Sequence, residues 1–235
     1  MQFSMPSMRR SRHPLVRAFS LLLGVALIGI LLSTFAVSLD TSNFDSHAVT
    51  LVKERYRGRD AIKVIEANSA TASDDTIAIL KGAQFHDGTI EVWLAGAPSD
   101  EAAASAGARG FVGIAFRVTA PSRYEAIYLR STNGRAQDQL RRNHSIQYIS
   151  HPEYPWERLR KETPGQYEAY ADMAAGEWIR CRIVVSGSKA ELYLGEADQP
   201  SLVVNDLKHG DSSGGIALWI SSGTVAYFSD LRIRQ

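Results

Sequence analysis

From residue 48 to the C-terminus, short runs of alternating apolar and polar residues recur between turn-forming residues. The runs fall at Ala48–Arg55, Ala61–Glu66, Thr76–Leu80, Thr89–Leu94, Gly110–Val118 and Tyr124–Arg130. They continue at Ser145–Ile149, Trp178–Ser186, Ala190–Leu194, Leu202–Val204, Gly215–Ile220 and Val225–Ile233. The breaks between them carry Gly58, Asp74-Asp75, Asp87-Gly88, Pro121-Ser122, Asn133-Gly134 and Ser186-Gly187-Ser188, together with the stretch 211–215. Such residues reverse a chain because glycine tolerates positive φ, proline presets φ, and Asn, Asp and Ser bond their own backbone. A period of two over many short segments predicts an all-β fold, either a two-sheet sandwich or a barrel. Trp156–Glu162, after Pro155, reads as one helical turn. The small residues of Asp100–Ala108 read as a loop.

Alternation sorts the strand residues by face. Ile90, Val92 and Leu94 share one side of their run; Val112, Ile114, Phe116 and Val118 share one side of theirs. Ile127 with Leu129, and Ile216 with Leu218 and Ile220, repeat the pattern. A sandwich strand buries one side, so these aliphatic sets are the expected core. The opposite sides gather Glu91, Trp93, Phe111, Arg117, Tyr124, Tyr128, Arg130 and Trp219. Aromatic rings there suit the apolar faces of sugar rings, and arginine forks suit hydroxyls or carboxylates. The same residues also suit an exposed sheet face stabilised by cross-strand pairs. The aromatic stretch Tyr148–Tyr170, with Trp156, reads either as a loop pinned by its own aromatics or as one that lies over that face and shapes a groove. The expected ligand-binding set is therefore Trp93, Arg117, Tyr124, Tyr128, Arg130, Trp156 and Trp219.

The composition breaks near residue 40. Ahead of it lie Arg9, Arg10, Arg12 and Arg17, then an uncharged apolar run at residues 18–39. Basic residues stay on the cytoplasmic side of an inserted helix, which places the rest of the chain outside. A run of about 20 residues just spans a bilayer core, whereas a cleaved signal has a shorter apolar core ending at small residues such as Ala36 and Ser38. The expected organisation is a basic head at 1–17, a transmembrane anchor or signal segment at 18–39, a polar tether at 40–47 and the sandwich at 48–235. The expected location is membrane-anchored with an extracytoplasmic domain, or secreted after cleavage near Ser38. Cys181, the single cysteine, excludes an intrachain disulfide and alternates in phase with core residues. A net charge of +1 offers no basic patch for nucleic acid.

These segments resemble a concanavalin A-like, laminin-G-like jelly roll, and in particular the bacterial 3-keto-disaccharide hydrolase domain family. The resemblance is carried by Phe85-His86-Asp87-Gly88-Thr89-Ile90-Glu91-Val92, by Gly110–Val118, and by Tyr124-Glu125-Ala126-Ile127-Tyr128-Leu129-Arg130. Gly176-Glu177-Trp178-Ile179-Arg180, Gly214–Trp219 and Tyr227-Phe228-Ser229-Asp230-Leu231-Arg232-Ile233 extend it. It implies a curved sheet whose concave face binds saccharide, and by family a hydrolase of keto-sugar glycosides. It also leaves room for a calcium ion near Asp230, as laminin-G-like folds sometimes have. No other cofactor is expected. The chain lacks the Glu-x-Asp-x-x-Glu strand of jelly-roll glucanases. Glu91 and Glu125 fall in opposite phases of their strands, where two-carboxylate hydrolysis needs carboxyls about 5–9.5 Å apart. The histidines show no metal-ligand spacing. Three functions stay open at this level: a carbohydrate-binding module, a keto-sugar hydrolase, and a structural or protein-interaction sandwich.

Overall fold

A computed structural model describes residues 1–2, 34–67, 76–100 and 110–235. The head at 1–17, the apolar run up to residue 33, Asp74-Asp75 and most of the expected loop at 100–108 lie outside the described residues. Among those described, no helix is long and apolar enough to cross a membrane.

The strands are β1 (Thr34–Ala36), β2 (Phe44–His47), β3 (Val49–Tyr56), β4 (Arg59–Glu66), β5 (Ile77–Leu80), β6 (Gly88–Pro98), β7 (Phe111–Ala120) and β8 (Arg123–Arg130). They continue as β9 (Ile146–His151), β10 (Glu168–Ala169), β11 (Ile179–Ser186), β12 (Lys189–Leu194), β13 (Leu202–Val204), β14 (Gly215–Ile220) and β15 (Thr224–Arg234). Two short helices, α1 (Gln139–Asn143) and α2 (Trp156–Glu162), flank β9. The first sheet runs β13-β12-β11-β6-β15-β4-β3, with β1 beside the end of β15; the second runs β10-β9-β8-β7-β14-β5-β2. All pairings are antiparallel. The architecture is an all-β two-sheet sandwich, as the alternation predicts.

Ile114, Phe116, Ile127, Leu129, Ile183, Val185, Ile216 and Leu218 are all buried in one continuous core, together with Cys181. Burial of the Cys181 thiol raises its pKa well above the usual range, so it packs as a small apolar group rather than a reactive thiolate.

Two expectations about the N-terminal side need correcting. The stretch 40–47 is not a tether. Asp40 caps a 3-10 turn at Thr41–Asn43, and β2 then pairs with β5 and buries Phe44. The apolar run also does not stay separate up to residue 39: Thr34–Ala36 pairs with Arg232–Arg234, and the Val37 N–H donates to the Leu231 carbonyl. Polar composition marked the stretch as a linker, but one phenylalanine and an open sheet edge suffice to fold it.

Bulges in β7 and β15 shape the rest. In β7 the register shifts between Phe116 and Ala120, and Arg117 takes φ 53°. In β15 it shifts between Ser229 and Arg232, and Asp230 takes φ 52°. The first sets three β7 residues against one of β8 and the second sets two β15 residues against one of β6, and the extra residues re-aim neighbouring side chains.

Candidate functional site

The outer face of the second sheet carries a row of rings set by strand register. Trp219 on β14 lies opposite Gly113 on β7, and Gly113 lies opposite Tyr128 on β8. The two rings close over the glycine, with centroids 4.6 Å apart and planes 29° apart. Phe111 also stacks on Tyr128, at 5.6 Å. Tyr124, two turns of the pleat along β8, accepts a 3.0 Å hydrogen bond from Trp219 Nε1 and stacks on His151 of β9 at 5.2 Å. Tyr124 and Tyr128 are buried side chains forming a floor; Phe111, His151 and Trp156 are partly exposed walls.

Trp156, the first residue of α2, closes the groove. Its indole lies against two guanidiniums, Arg160 at 4.5 Å and Arg130 at 5.3 Å. Arg130 donates to Tyr128 Oη at 3.1 Å and to Gln147 Oε1 at 3.2 Å, and faces Phe111 at 5.1 Å. Both arginines turn toward the buried carboxylate of Glu168, which accepts from Arg160 Nε at 2.9 Å and lies 4.0 Å from Arg130 Nη1. His144 Nδ1 contacts the other oxygen of Glu168. Burial pushes the His144 pKa down, Arg160 and Arg130 push the same way, and Glu168 opposes them. The resulting groove has a volume of about 220 Å³; beyond the rings its polar lining is Thr76, Glu157, Ser221 and Ser222.

The structure thus brings together five of the seven expected residues: Tyr124, Tyr128, Arg130, Trp156 and Trp219. The other two lie elsewhere. Trp93 belongs to β6 in the first sheet, so it faces solvent on the opposite side of the molecule. Alternation reports which face of a strand a residue takes but not which sheet the strand joins, and successive β6 and β7 lie in different sheets. Arg117 has no exposed surface at all. Its positive φ at the bulge turns the side chain to the end of the sandwich. There it donates to the carbonyls of His86 at 3.0 Å, Gly210 at 2.6 Å and Gly187 at 2.7 Å, and to Asp87 Oδ1 at 3.2 Å. Arg117 is a staple joining three loops, not a ligand-binding residue.

Beside Arg117, Glu125 faces the interior. Its Oε1 accepts from Tyr148 Oη and from the His209 N–H, both at 2.9 Å, while Oε2 has no hydrogen bond and lies 4.0 Å from Arg117 Nη1. Burial pushes this carboxyl above the usual range, against those two hydrogen bonds and the Arg117 charge. Glu125 is therefore a structural acid, and Glu91 lies on the other sheet, so the two never form a carboxylate pair. His86, Asp87 and Asp211 bring ligand atoms within 4.8 Å of one another. His86 Nε2 lies 2.6 Å from Asp211, and Arg117 Nη2 lies 3.2 Å from Asp87 and 3.9 Å from Asp211, so both carboxylates already face a guanidinium. Asp230 likewise fits calcium poorly: its carboxylate lies 3.3 Å from Arg59 in arginine-rich surroundings.

The expected set left out Glu157, Thr76, Ser221 and Ser222, and His151 entered only as part of the aromatic stretch expected to shape the groove. His151 was legible, since it belongs to the aromatic stretch and its strand continues β8. Ser221 and Ser222 lie just past Ile220, where alternation ends.

No protein-family model matches the chain, and no curated protein matches it. Among solved structures, it is similar to the carbohydrate-binding module CBM66 from Bacillus subtilis, at 12% identity and a TM-score of 0.54, over 81% of this chain and 95% of that one. It is also similar to a protein of unknown function with a galectin-like fold from Bacillus subtilis, at 11% identity and a TM-score of 0.51, over 85% of this chain and 92% of that one. Likeness at this identity defines a fold, and activity must be argued from the site. The chain has the concanavalin A-like jelly-roll fold. Neither likeness points to the keto-disaccharide hydrolase family in particular.

Proposed function

We propose that the chain is an exported carbohydrate-binding module that seats a saccharide in the aromatic groove on the outer face of the second sheet. The observation that carries this reading is the row Tyr124, Trp219, Tyr128 and Phe111 with Trp156 across it. Sugar rings present C–H faces that pack on aromatic planes, and these planes are fixed by mutual stacking before any ligand arrives. Little side-chain entropy is then lost on binding. A few polar groups among apolar walls is the composition of a small-molecule site, and His151, Glu157, Thr76, Ser221 and Ser222 supply hydroxyl partners. At about 220 Å³ the groove is smaller than the roughly 300 Å³ at which ligand pockets usually begin, which suits the end of a glycan. The fold shared with CBM66 supports the same reading.

Export rests on the basic head and the apolar run. With Thr34–Ala36 folded into the sandwich, residues 18–33 remain ahead of it. As a helix they would reach about 24 Å, short of a hydrocarbon core of about 30 Å, while cleavage near Ser38 would take the Thr34–Ala36 strand away with the signal. Among the described groove residues Glu157 is the single carboxylate, which gives two-carboxylate hydrolysis no second member.

A glycan array probed with the protein, followed by titration of the best ligand, tests the reading. Trp156→Ala should weaken binding about tenfold or more, because one ring wall and its desolvated contact are lost. Binding that ignores Trp156→Ala, or an array with no bound glycan, would refute it. Membrane fractionation of cells making the full chain tests export; a wholly cytosolic protein would refute that part.

A further inference from the structure

The opposite face of the molecule carries a second depression, unrelated to the groove. It has a volume of about 190 Å³ and is lined by Glu91, Val92, Trp93, Arg180, Asp230 and Arg232. The β15 bulge makes it: two residues, Asp230 and Leu231, stand where β6 offers only Val92, so the face opens beside Trp93. Asp230 holds a left-handed backbone conformation there, a strain of the kind that persists where surrounding structure requires it.

Register then places charge around it. Across β11, β6 and β15 one row reads Arg182, Glu91, Arg232; the next reads Arg180, Trp93, Ser229. Glu91 is buried, and it grips two guanidiniums, Arg234 Nη2 and Arg180 Nη2, each at 2.8 Å. Although burial opposes ionisation, these arginines hold the Glu91 carboxyl below its ordinary range. Arg180 also reaches Glu196, Arg59 pairs with Asp230, and Glu191 accepts from Tyr193 Oη. After these pairings two guanidiniums remain. Arg182 lies 3.8 Å over the Tyr193 ring, and Arg232 is exposed; neither makes a hydrogen bond or ion pair among the described residues. In addition, Arg234 Nε is a buried donor without a partner. Trp93, half-buried, carries Arg59 at 3.8 Å against its ring.

The site therefore offers one planar, unspent guanidinium, that of Arg232, beside an indole in a shallow pocket. A planar fork matches a carboxylate in two parallel hydrogen bonds, and the adjacent ring matches the C–H face of a pyranose. We propose that this depression binds a uronate unit of an acidic saccharide, its carboxylate on Arg232 and its ring against Trp93. Binding there is independent of the aromatic groove. Arg232 is an exposed, unpaired charge, so affinity falls as salt rises.

The test titrates the whole protein with oligogalacturonate and with the matching neutral galactose oligomer. The acidic oligomer should bind and the neutral one should not compete for this site. Arg232→Gln should weaken the acidic oligomer about tenfold, the worth of a charge-assisted hydrogen bond. Arg232 is exposed, so this variant should fold as the parent does by circular dichroism. Trp93→Ala should weaken the same ligand, while Trp156→Ala should not. Absence of acidic-oligomer binding, or loss through Trp156→Ala with Arg232→Gln unaffected, overturns the proposal. So does equal, Arg232-dependent binding of inorganic sulfate or phosphatidylglycerol vesicles, which would make the patch a general anion or lipid contact. If the groove binds no sugar, the proposal still stands or falls on its own arms.

Discussion

The indole N–H of Trp219 and the phenol oxygen of Tyr124, on strands separated by β7, meet at 3.0 Å beneath the groove floor. Both rings are buried, so the bond satisfies a donor that water cannot reach. Tyr124→Phe keeps the ring and removes the acceptor. It should cost about 1–3 kcal/mol, the penalty for a buried donor left unpaired. Urea unfolding checks the cost, and pairing it with Trp219→Phe should return much of it; additive losses would mean that the bond contributes little.

Gly113 lies under the Tyr128–Trp219 stack. A methyl group there would meet the Tyr128 Cβ at 2.5 Å and the Ile127 carbonyl oxygen, so strand β8 would have to move. Gly113→Ala should destabilise the fold by about 1–3 kcal/mol through overpacking and should also weaken any ligand of the groove. A variant with parental unfolding midpoint and parental affinity would contradict this placement.

Arg117→Lys is expected to damage the fold rather than a binding site. An ammonium cannot reach three carbonyls and a carboxylate that a planar fork spans. Arg117→Ala, which also leaves Glu125 without its cation, should cost about 3–5 kcal/mol, the range for breaking a buried pair. Denaturant midpoints for both variants decide it; a loss under about 1 kcal/mol would overturn the staple.

Glu125 should give stability a pH dependence of definite sign. Its carboxyl is pushed above its ordinary 4.5, so just above that pH the folded state holds a proton that the unfolded state has released. Stability from this group is full below the unfolded value and falls as pH rises through the folded one. His144 and His209 are pushed down by burial and act in the opposite direction, losing stability as pH falls below about 6.5. Comparing the parent with Glu125→Gln isolates the first effect. The parent should lose ground to the variant as pH rises from about 4.5, and a constant difference would rule the effect out.

The core was readable because its pattern is periodic: Ile114 and Phe116, or Ile127 and Leu129, repeat at two-residue spacing, and burial follows that spacing whatever the partner strand. The groove was readable for a related reason, since Phe111, Tyr124, Tyr128 and Trp219 sit in the phase opposite to the aliphatics. What alternation could not supply was sheet membership, which sent Trp93 to the wrong side. It also could not foresee Arg117, where one residue at φ 53° breaks the count and turns a side chain read as solvent-facing into the interior. The Arg232 depression depends on a bulge of the same kind. Its arginines were visible in sequence, but nothing there placed Arg182, Glu91 and Arg232 in one row.

Thr34 pairs with Arg234, so the first and last described strands are neighbours. The backbone is in effect a nearly closed loop, and a short linker from Gln235 back to Thr34 would complete it. The order in which strands are connected could then be rotated without altering any pairing. The β3–β4 turn at Gly58, where an added side chain would meet nothing within 4 Å, is a natural place to cut such a ring.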